Sequence, residues 1–177
     1  MRRTLISILV LAACGGGESS STPDAPGNAA DAGYDEARCL IKGDFGAVGS
    51  VTGTASMGGI TVTLDAGPPR DTFFLRMNAG MGVFTGGIAP GMYTISGADA
   101  GYNTCGLCVN IIADIVTGSG PSKFYFATSG MVTLTSTASP IAGSAQNLQF
   151  VEVDINSGNP VPGGCTGSID SISFTTM

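Results

Sequence analysis

The five cysteines are the residues of this chain that could support the widest range of chemistry. Cys105 and Cys108 are separated by two residues, a spacing found in redox pairs and in half of many zinc sites. A redox pair needs a helix start after a strand to lower a thiol pKa, whereas Cys108 leads into the strand-like segment 109–112. Zinc sites built from thiolates usually contain two such pairs, and this chain has one. We therefore expect neither redox chemistry nor a metal at these thiols.

The chain contains no histidine. That absence excludes Ser-His-Asp triads, Cys-His dyads and imidazole acid–base catalysis. Carboxylates remain: Asp99 with Asn103, and the segment 154–158, could offer oxygens to calcium. The second segment lacks the acidic residue and the glycine that a calcium loop carries at its fifth and sixth positions, so Asx turns are the favoured interpretation. We predict no catalytic residue, no cofactor and no metal.

The amino terminus has the pattern of a secretion signal. Arg2 and Arg3 precede an uncharged apolar run, residues 4–11, which is too short to span a bilayer because about 20 helical residues are needed. The last residue of the run begins the segment Leu11-Ala12-Ala13-Cys14, which resembles the lipobox of bacterial lipoproteins. In that family the cysteine sulfur receives diacylglycerol, and a peptidase then cuts before the cysteine. The resemblance implies a signal peptide over 1–13, lipidation of Cys14 and a membrane anchor.

The resemblance also implies a location. Gly15 follows Cys14, in place of the Asp that retains well-studied lipoproteins at the inner membrane. We expect the protein to be lipid-anchored in the bacterial cell envelope, at the outer membrane or cell surface rather than at the inner membrane. Two or three acyl chains on one residue anchor stably, whereas a single chain is marginal.

Four cysteines remain when Cys14 carries lipid, and an exported protein meets oxidising conditions, so two disulfides are expected. Cys39, Cys105, Cys108 and Cys165 allow three connectivities. We favour Cys39–Cys165 with Cys105–Cys108. In the chain-entropy model the long bridge between the domain ends stabilises by about 4 kcal/mol, more than a short loop does. The other two connectivities stay open.

Residues 14–36 are predicted to form a disordered tether, because they lack aliphatic side chains larger than alanine and cannot bury enough apolar surface. The net charge of the chain is −6, and loss of Arg2 and Arg3 would make it −8. An acidic protein of this kind is not expected to bind nucleic acid or to adsorb to anionic lipid through its folded domain.

Residues 37–177 are predicted to form a single β domain. Glycine is abundant, at 28 residues, and apolar segments are short and separated by turn residues, which favours strands. Ile60, Val62 and Leu64 share one strand face, and the apolar run 107–115 predicts burial on both faces. We predict an all-β fold, specifically an antiparallel β-sandwich of jelly-roll or immunoglobulin-like type, with a closed β-barrel as the alternative. The strand candidates are 39–42, 50–57, 60–64, 72–77, 82–85, 92–97, 107–115, 123–128, 131–135, 148–154 and 168–175.

The leading functional hypothesis is a lipid-anchored, non-enzymatic envelope module that binds an envelope protein or polysaccharide or has a structural role. A carrier of a small apolar ligand or lipid inside the β domain is the first alternative. An enzyme that uses thiol or carboxylate chemistry is the second. The chain has no tryptophan and 4 tyrosines, so it is poorly supplied for stacking against carbohydrate.

Overall fold

The computed structural model describes residues 47–56, 58–64, 70–115, 118, 121 and 123–177. The predicted signal peptide (1–13), Cys14, the tether (14–36) and the strand candidate 39–42 lie outside the described residues. Within the described part, no helix is long and apolar enough to cross a membrane.

The described chain folds into eight β-strands and two short 3-10 turns. The turns span Gly82–Phe84 and Gly97–Ala100. Buried and exposed residues alternate along β8, as in a sheet with one face against a core, and the all-β prediction is confirmed. The strands are β1 (Ala47–Ser56), β2 (Gly59–Thr63), β3 (Arg70–Met77), β4 (Gly91–Thr94), β5 (Leu107–Ile115), β6 (Lys123–Ser136), β7 (Ala142–Val153) and β8 (Thr166–Thr176).

Seven of these strands close into a barrel. The order around the ring is β6-β5-β3-β2-β1-β8-β7, and β7 pairs again with β6. The pairing of β1 with β8 is parallel, and the other pairings are antiparallel. The short β4 stands outside the ring and pairs with the second half of β6, from Met131 to Leu134.

The leading prediction of a β-sandwich is therefore replaced by its alternative, the closed barrel. Both architectures alternate inward and outward residues along each strand, so local sequence does not separate them. What closes the ring is the parallel pairing of β1 with β8, in which Val51 lies beside Phe174. These two strands lie at opposite ends of the described chain, and no local pattern encodes their register.

Side chains fill the interior of the barrel. Ile60 and Val62 are buried there as predicted, whereas Leu64 is half-buried at the strand end. Phe73 of β3 and Phe174 of β8 contact each other across the interior, with ring centroids 6.0 Å apart. Small barrels are closed cores of this kind because their diameter leaves room for little besides their own side chains.

The segment 82–85 was predicted as a strand and is instead a 3-10 turn at Gly82–Phe84. Gly82 has a φ of +45°, which glycine adopts readily, and a Cβ there would lie 2.3 Å from Oδ1 of Asp99. Close packing against Asp99 thus overrides the strand-like sequence. Phe84 still contributes a fully buried side chain to the core.

The candidates 123–128 and 131–135 are parts of one strand, β6. The ladder with β7 continues through register shifts on either side of Ser129, and Gly130 adopts a φ of +127° there. Such bulges let a long strand bend around a barrel without ending. The predicted arms 131–135 and 148–154 do lie on the two strands of one hairpin, but they do not face each other: Met131 lies opposite Gln146, and Val153 lies opposite Phe124.

Phe73→Ala is expected to lower the free energy of unfolding by about 3–5 kcal/mol, because it removes a fully buried ring and leaves a cavity. Chemical denaturation monitored by circular dichroism measures this change. Met92→Ala is the control, since Met92 is 68% exposed on β4 and its loss should change stability by about 0.5 kcal/mol or less. Equal effects of the two substitutions would contradict the description of the interior.

Candidate functional site

A second apolar cluster lies on the outside of the barrel wall. On β5 the inward residues Val109 and Ile111 are fully buried, and the outward Ile112 is half-buried. The predicted burial of this strand on both faces is therefore complete on the inner face and partial on the outer face. Outward residues of β6 continue the cluster: Phe124 lies beside Ile112, and Phe126 is 1% exposed. Apolar side chains on an outer wall stay dry only if something covers them.

The first cover is the loop before β5. Cys105 and Cys108 form a disulfide, with their Cα atoms 5.3 Å apart, and this pairing is the one favoured from the sequence. The side-chain amide of Asn78 donates to the carbonyl of Cys105 at 3.0 Å and contacts Sγ of Cys108 at 3.1 Å. The loop places the ring of Tyr102 edge-on against Phe126, with centroids 5.7 Å apart. The disulfide therefore holds an aromatic side chain over the outer wall.

Beneath this loop, Asp99 is a buried carboxylate that ties three segments together. Its Oδ1 accepts from the backbone N–H groups of Gly106 and Leu107, both at 2.8 Å, and its Oδ2 accepts from that of Val83 at 2.9 Å. The side chain is 3% exposed. These contacts use Asp99 to hold the loop base, so a calcium-ligand role is not supported.

The second cover is the loop between β7 and β8. Oδ1 of Asp154 accepts from the N–H groups of Asn156 (3.0 Å) and Ser157 (2.8 Å), which is the Asx turn favoured from the sequence. The amide of Asn103, in the first loop, donates to the carbonyl of Ser157 at 2.8 Å. Gly158 has a φ of +71°, and a Cβ there would lie 2.6 Å from Nδ2 of Asn103. The two loops thus contact each other directly.

Between these loops and the barrel wall lies a groove open to solvent, with a volume of about 90 Å³. Strands β3, β5 and β6 form its floor, and one residue of each loop forms its rim. Its walls are mainly aromatic and aliphatic, with a few polar groups, a composition typical of small-ligand sites. The lining residues are Phe74, Arg76, Tyr102, Asn110, Ile112, Phe124 and Ile155.

Arg76 is the one charged residue among the described residues that line the groove. It lies two residues after Phe74 on β3, so both project from the outer face, and it is opposite Cys108 on β5. Its Nε is buried and has no hydrogen-bond partner. No carboxylate of the described residues pairs with its guanidinium. The groove therefore presents an unneutralised cation among apolar walls.

Lys123, the other half-buried cation of the described residues, has a partner. Lys123 donates to Oε2 of Glu152 at 3.1 Å, and the side chains are 17% and 14% exposed. The same oxygen accepts from the backbone N–H of Cys165 at 2.9 Å. This pair fixes the start of β6 and the segment before β8, so we assign it a structural role.

The remaining predicted site residues are located as follows. Cys165 is disulfide-bonded. Cys39, its predicted partner, and the lipidation residue Cys14 lie outside the described residues, so both assignments stay predictions. Among the described residues, no three His, Cys, Asp or Glu side chains are grouped as a metal site would require.

The groove was missed from the sequence, although one signal for it was present. In Phe73-Phe74-Leu75-Arg76, the inward residues are apolar, and the outward pair places an arginine beside a phenylalanine. An arginine at an outward strand position is ordinarily solvated, so the pattern alone does not indicate a site. The covering loops, which are distant in sequence, create it.

Comparison of the chain with protein-family models, with curated proteins and with solved structures finds no match. Inferences about function therefore rest on the residues and their geometry.

The Asx turn predicts a pH dependence in the second loop. The N–H of Ser157, and next its hydroxyl, hold the pKa of the Asp154 carboxyl below its ordinary value of 3.8. A lowered pKa in the folded state means that the turn is fully stabilised above about pH 3.8 and loses this contribution as the pH falls through the folded-state pKa. An NMR titration of the carboxyl should give a midpoint below 3.8.

Asp154→Asn is the matched control, since its amide oxygen accepts the same hydrogen bonds at every pH. In that variant the amide resonance of Ser157 should no longer follow the titration. A carboxyl midpoint at or above the ordinary value would contradict the described turn.

Proposed function

We propose that this protein is a lipid-anchored, non-catalytic binding module of the bacterial cell envelope, and that the outer groove is its binding site. The groove carries the proposal, because it joins apolar walls to a few polar groups and has rims held by a disulfide and by loop-to-loop contacts. The lipobox at Cys14 and the tether at 14–36 supply the expected anchor.

The geometry of the carboxylates supports a non-catalytic role. Asp99 and Glu152 are engaged with backbone N–H groups, and Asp154 caps its own loop. A general acid or base must be within reach of a substrate proton, and these three groups are committed to holding loops. The absence of histidine throughout the chain points in the same direction.

The site is placed outside the barrel because side chains occupy the interior. Phe73, Tyr125 and Phe150 are among the largest fully buried residues there. A ligand inside the barrel would have to displace such side chains, at about 3–5 kcal/mol for each phenylalanine by analogy with truncation. The carrier hypothesis with an internal ligand is therefore the less well supported of the two.

The anchor can be tested by the intact mass of protein extracted from the membranes of an expressing bacterium. We expect a chain that begins at Cys14 and carries a diacylglycerol group with or without a further acyl chain. The Cys14→Ser variant should lose the lipid mass and leave the membrane fraction. A chain cleaved elsewhere, or an unmodified Cys14 in wild-type protein, would contradict the anchor.

The groove can be tested with residues 14–177 carrying Cys14→Ser, the mature chain that the lipobox predicts without its lipid. A panel of small neutral, acidic and basic aryl and alkyl compounds is screened by amide chemical shifts. We expect binders whose shifts cluster on Phe74, Asn110 and Phe124, which line the groove.

A matched pair of variants tests the location. Ile155→Trp fills the groove rim and should abolish those shifts, whereas Ile88→Trp should leave them unchanged. Both isoleucines are 37% exposed, and Ile88 lies outside the groove. A panel that produces no groove shifts, or an equal effect of the two variants, would contradict the assignment of the site.

A further inference from the structure

The unpartnered charge of Arg76 specifies the ligand more closely. We infer that the groove binds a small monocarboxylate with an aryl or short alkyl body, and that the carboxylate pairs with Arg76. This inference rests on the proposed function, since it names the ligand class of the same groove.

The guanidinium of Arg76 is the group with which a ligand in the groove would pair. A buried donor without an acceptor is unfavourable, and more so for a charged group. The Nε of Arg76 is in that state: the floor residues Phe74 and Ile112 carry no side-chain acceptor, and Asn110, which does, is not bonded to Nε. Arg76 as a whole is half-buried, and its terminal nitrogens are not among the buried atoms that lack a partner. A carboxylate in the groove can accept two hydrogen bonds from these terminal nitrogens, which satisfies both charge and geometry.

The charge of the groove limits the charge of the ligand. Among the described residues that line the groove, Arg76 is the one cation, and the chain as a whole carries −6. A monoanion is neutralised by Arg76 alone. A phosphate dianion or an acidic polymer would bring excess negative charge to an acidic protein and be repelled. Among anions, the monocarboxylate fits best.

The walls of the groove limit the body of the ligand. Apolar side chains form most of the lining, at Phe74, Ile112, Phe124 and Ile155, and Asn110 and Tyr102 are the other described residues there that carry polar groups. A sugar ring, with a hydroxyl on most carbons, would bury several donors and acceptors against walls that cannot pair with them. An aryl or alkyl body buries no such groups.

The size of the groove sets the size of the body. Its volume is about 90 Å³. Since roughly 10–15 Å³ of such volume holds one water molecule, the groove has room for only several waters. It therefore takes a small ligand, of one ring or one short chain at most, and phenylacetate is a probe of that kind.

The experiment compares phenylacetate with phenylacetamide, which has the same shape and no charge. Both are titrated into residues 14–177 carrying Cys14→Ser, and binding is followed by amide chemical shifts. We expect phenylacetate to bind roughly tenfold more tightly or better, because a hydrogen-bonded charge pair is lost in the amide. The shifts should fall on the groove floor around Phe74 and Asn110.

Variants of two arginines on the same strand test the partner. Arg76→Gln should remove the preference for the acid, and Arg76→Lys should keep part of it because the charge remains without the planar fork. Arg70→Gln makes the same change in charge at an exposed position of β3 and should keep the full preference. Thermal melting checks that each variant is folded. The comparison of acid with amide on the unsubstituted groove remains decisive if Arg76→Gln does not fold.

The outcomes separate the two proposals. Equal binding of acid and amide at the groove overturns the carboxylate inference and leaves the proposed binding site intact. Displacement of phenylacetate by inorganic phosphate at equal concentration also overturns it, since the site would then be a general anion site. If neither compound shifts the groove amides, the carboxylate inference is overturned. If no compound of the whole panel shifts them, the proposed function is overturned as well.

Discussion

Closure of the sheet is the constraint on which the rest of this structure depends. The parallel pairing of β1 with β8, together with the pairing of β7 with β6, joins the ends of a ring and leaves its seven strands without a free edge. A closed ring also fixes which face of every strand is inside. Because the interior is filled by side chains such as Phe73 and Phe174, any surface that binds a partner has to be built from outward residues and loops.

The groove follows from the way the outer wall is covered. Phe124 and Phe126 project outward from β6, and their exposure to water would be unfavourable at about 25 cal/mol per Å² of apolar surface. The disulfide loop places Tyr102 over Phe126, and the loop after β7 meets it through the hydrogen bond from Asn103 to Ser157. The cover ends short of the β3 side of the wall. The groove is the part of the apolar outer wall that the described residues leave open to solvent.

Features set by neighbouring residues could be predicted from the sequence, whereas features set by contacts between distant segments could not. The strand at 107–115 is predicted to the residue, because it is a long apolar run between turn signals. The Cys105–Cys108 pairing was the favoured one of three, since a small local loop can close there, and it is observed. The choice of barrel over sandwich depends on the register between β1 and β8, which no local pattern carries. The turn at Gly82 was missed for a similar reason: it is shaped by contact with Asp99. The groove needed both covering loops to be in place, so it could not be predicted from β3 alone.

Asp99 and Arg76 differ in how the described residues satisfy their charges. Asp99 is buried, and its two oxygens accept hydrogen bonds from three backbone N–H groups, which hold a loop in place. Arg76 also buries a polar atom, yet no group of the described residues accepts from it. Arg76 as a whole is half-buried, so its aliphatic stem can cover the wall while its terminal nitrogens reach water. Under the proposed function, a bound carboxylate would replace that water at the guanidinium, as backbone N–H groups already do for the oxygens of Asp99.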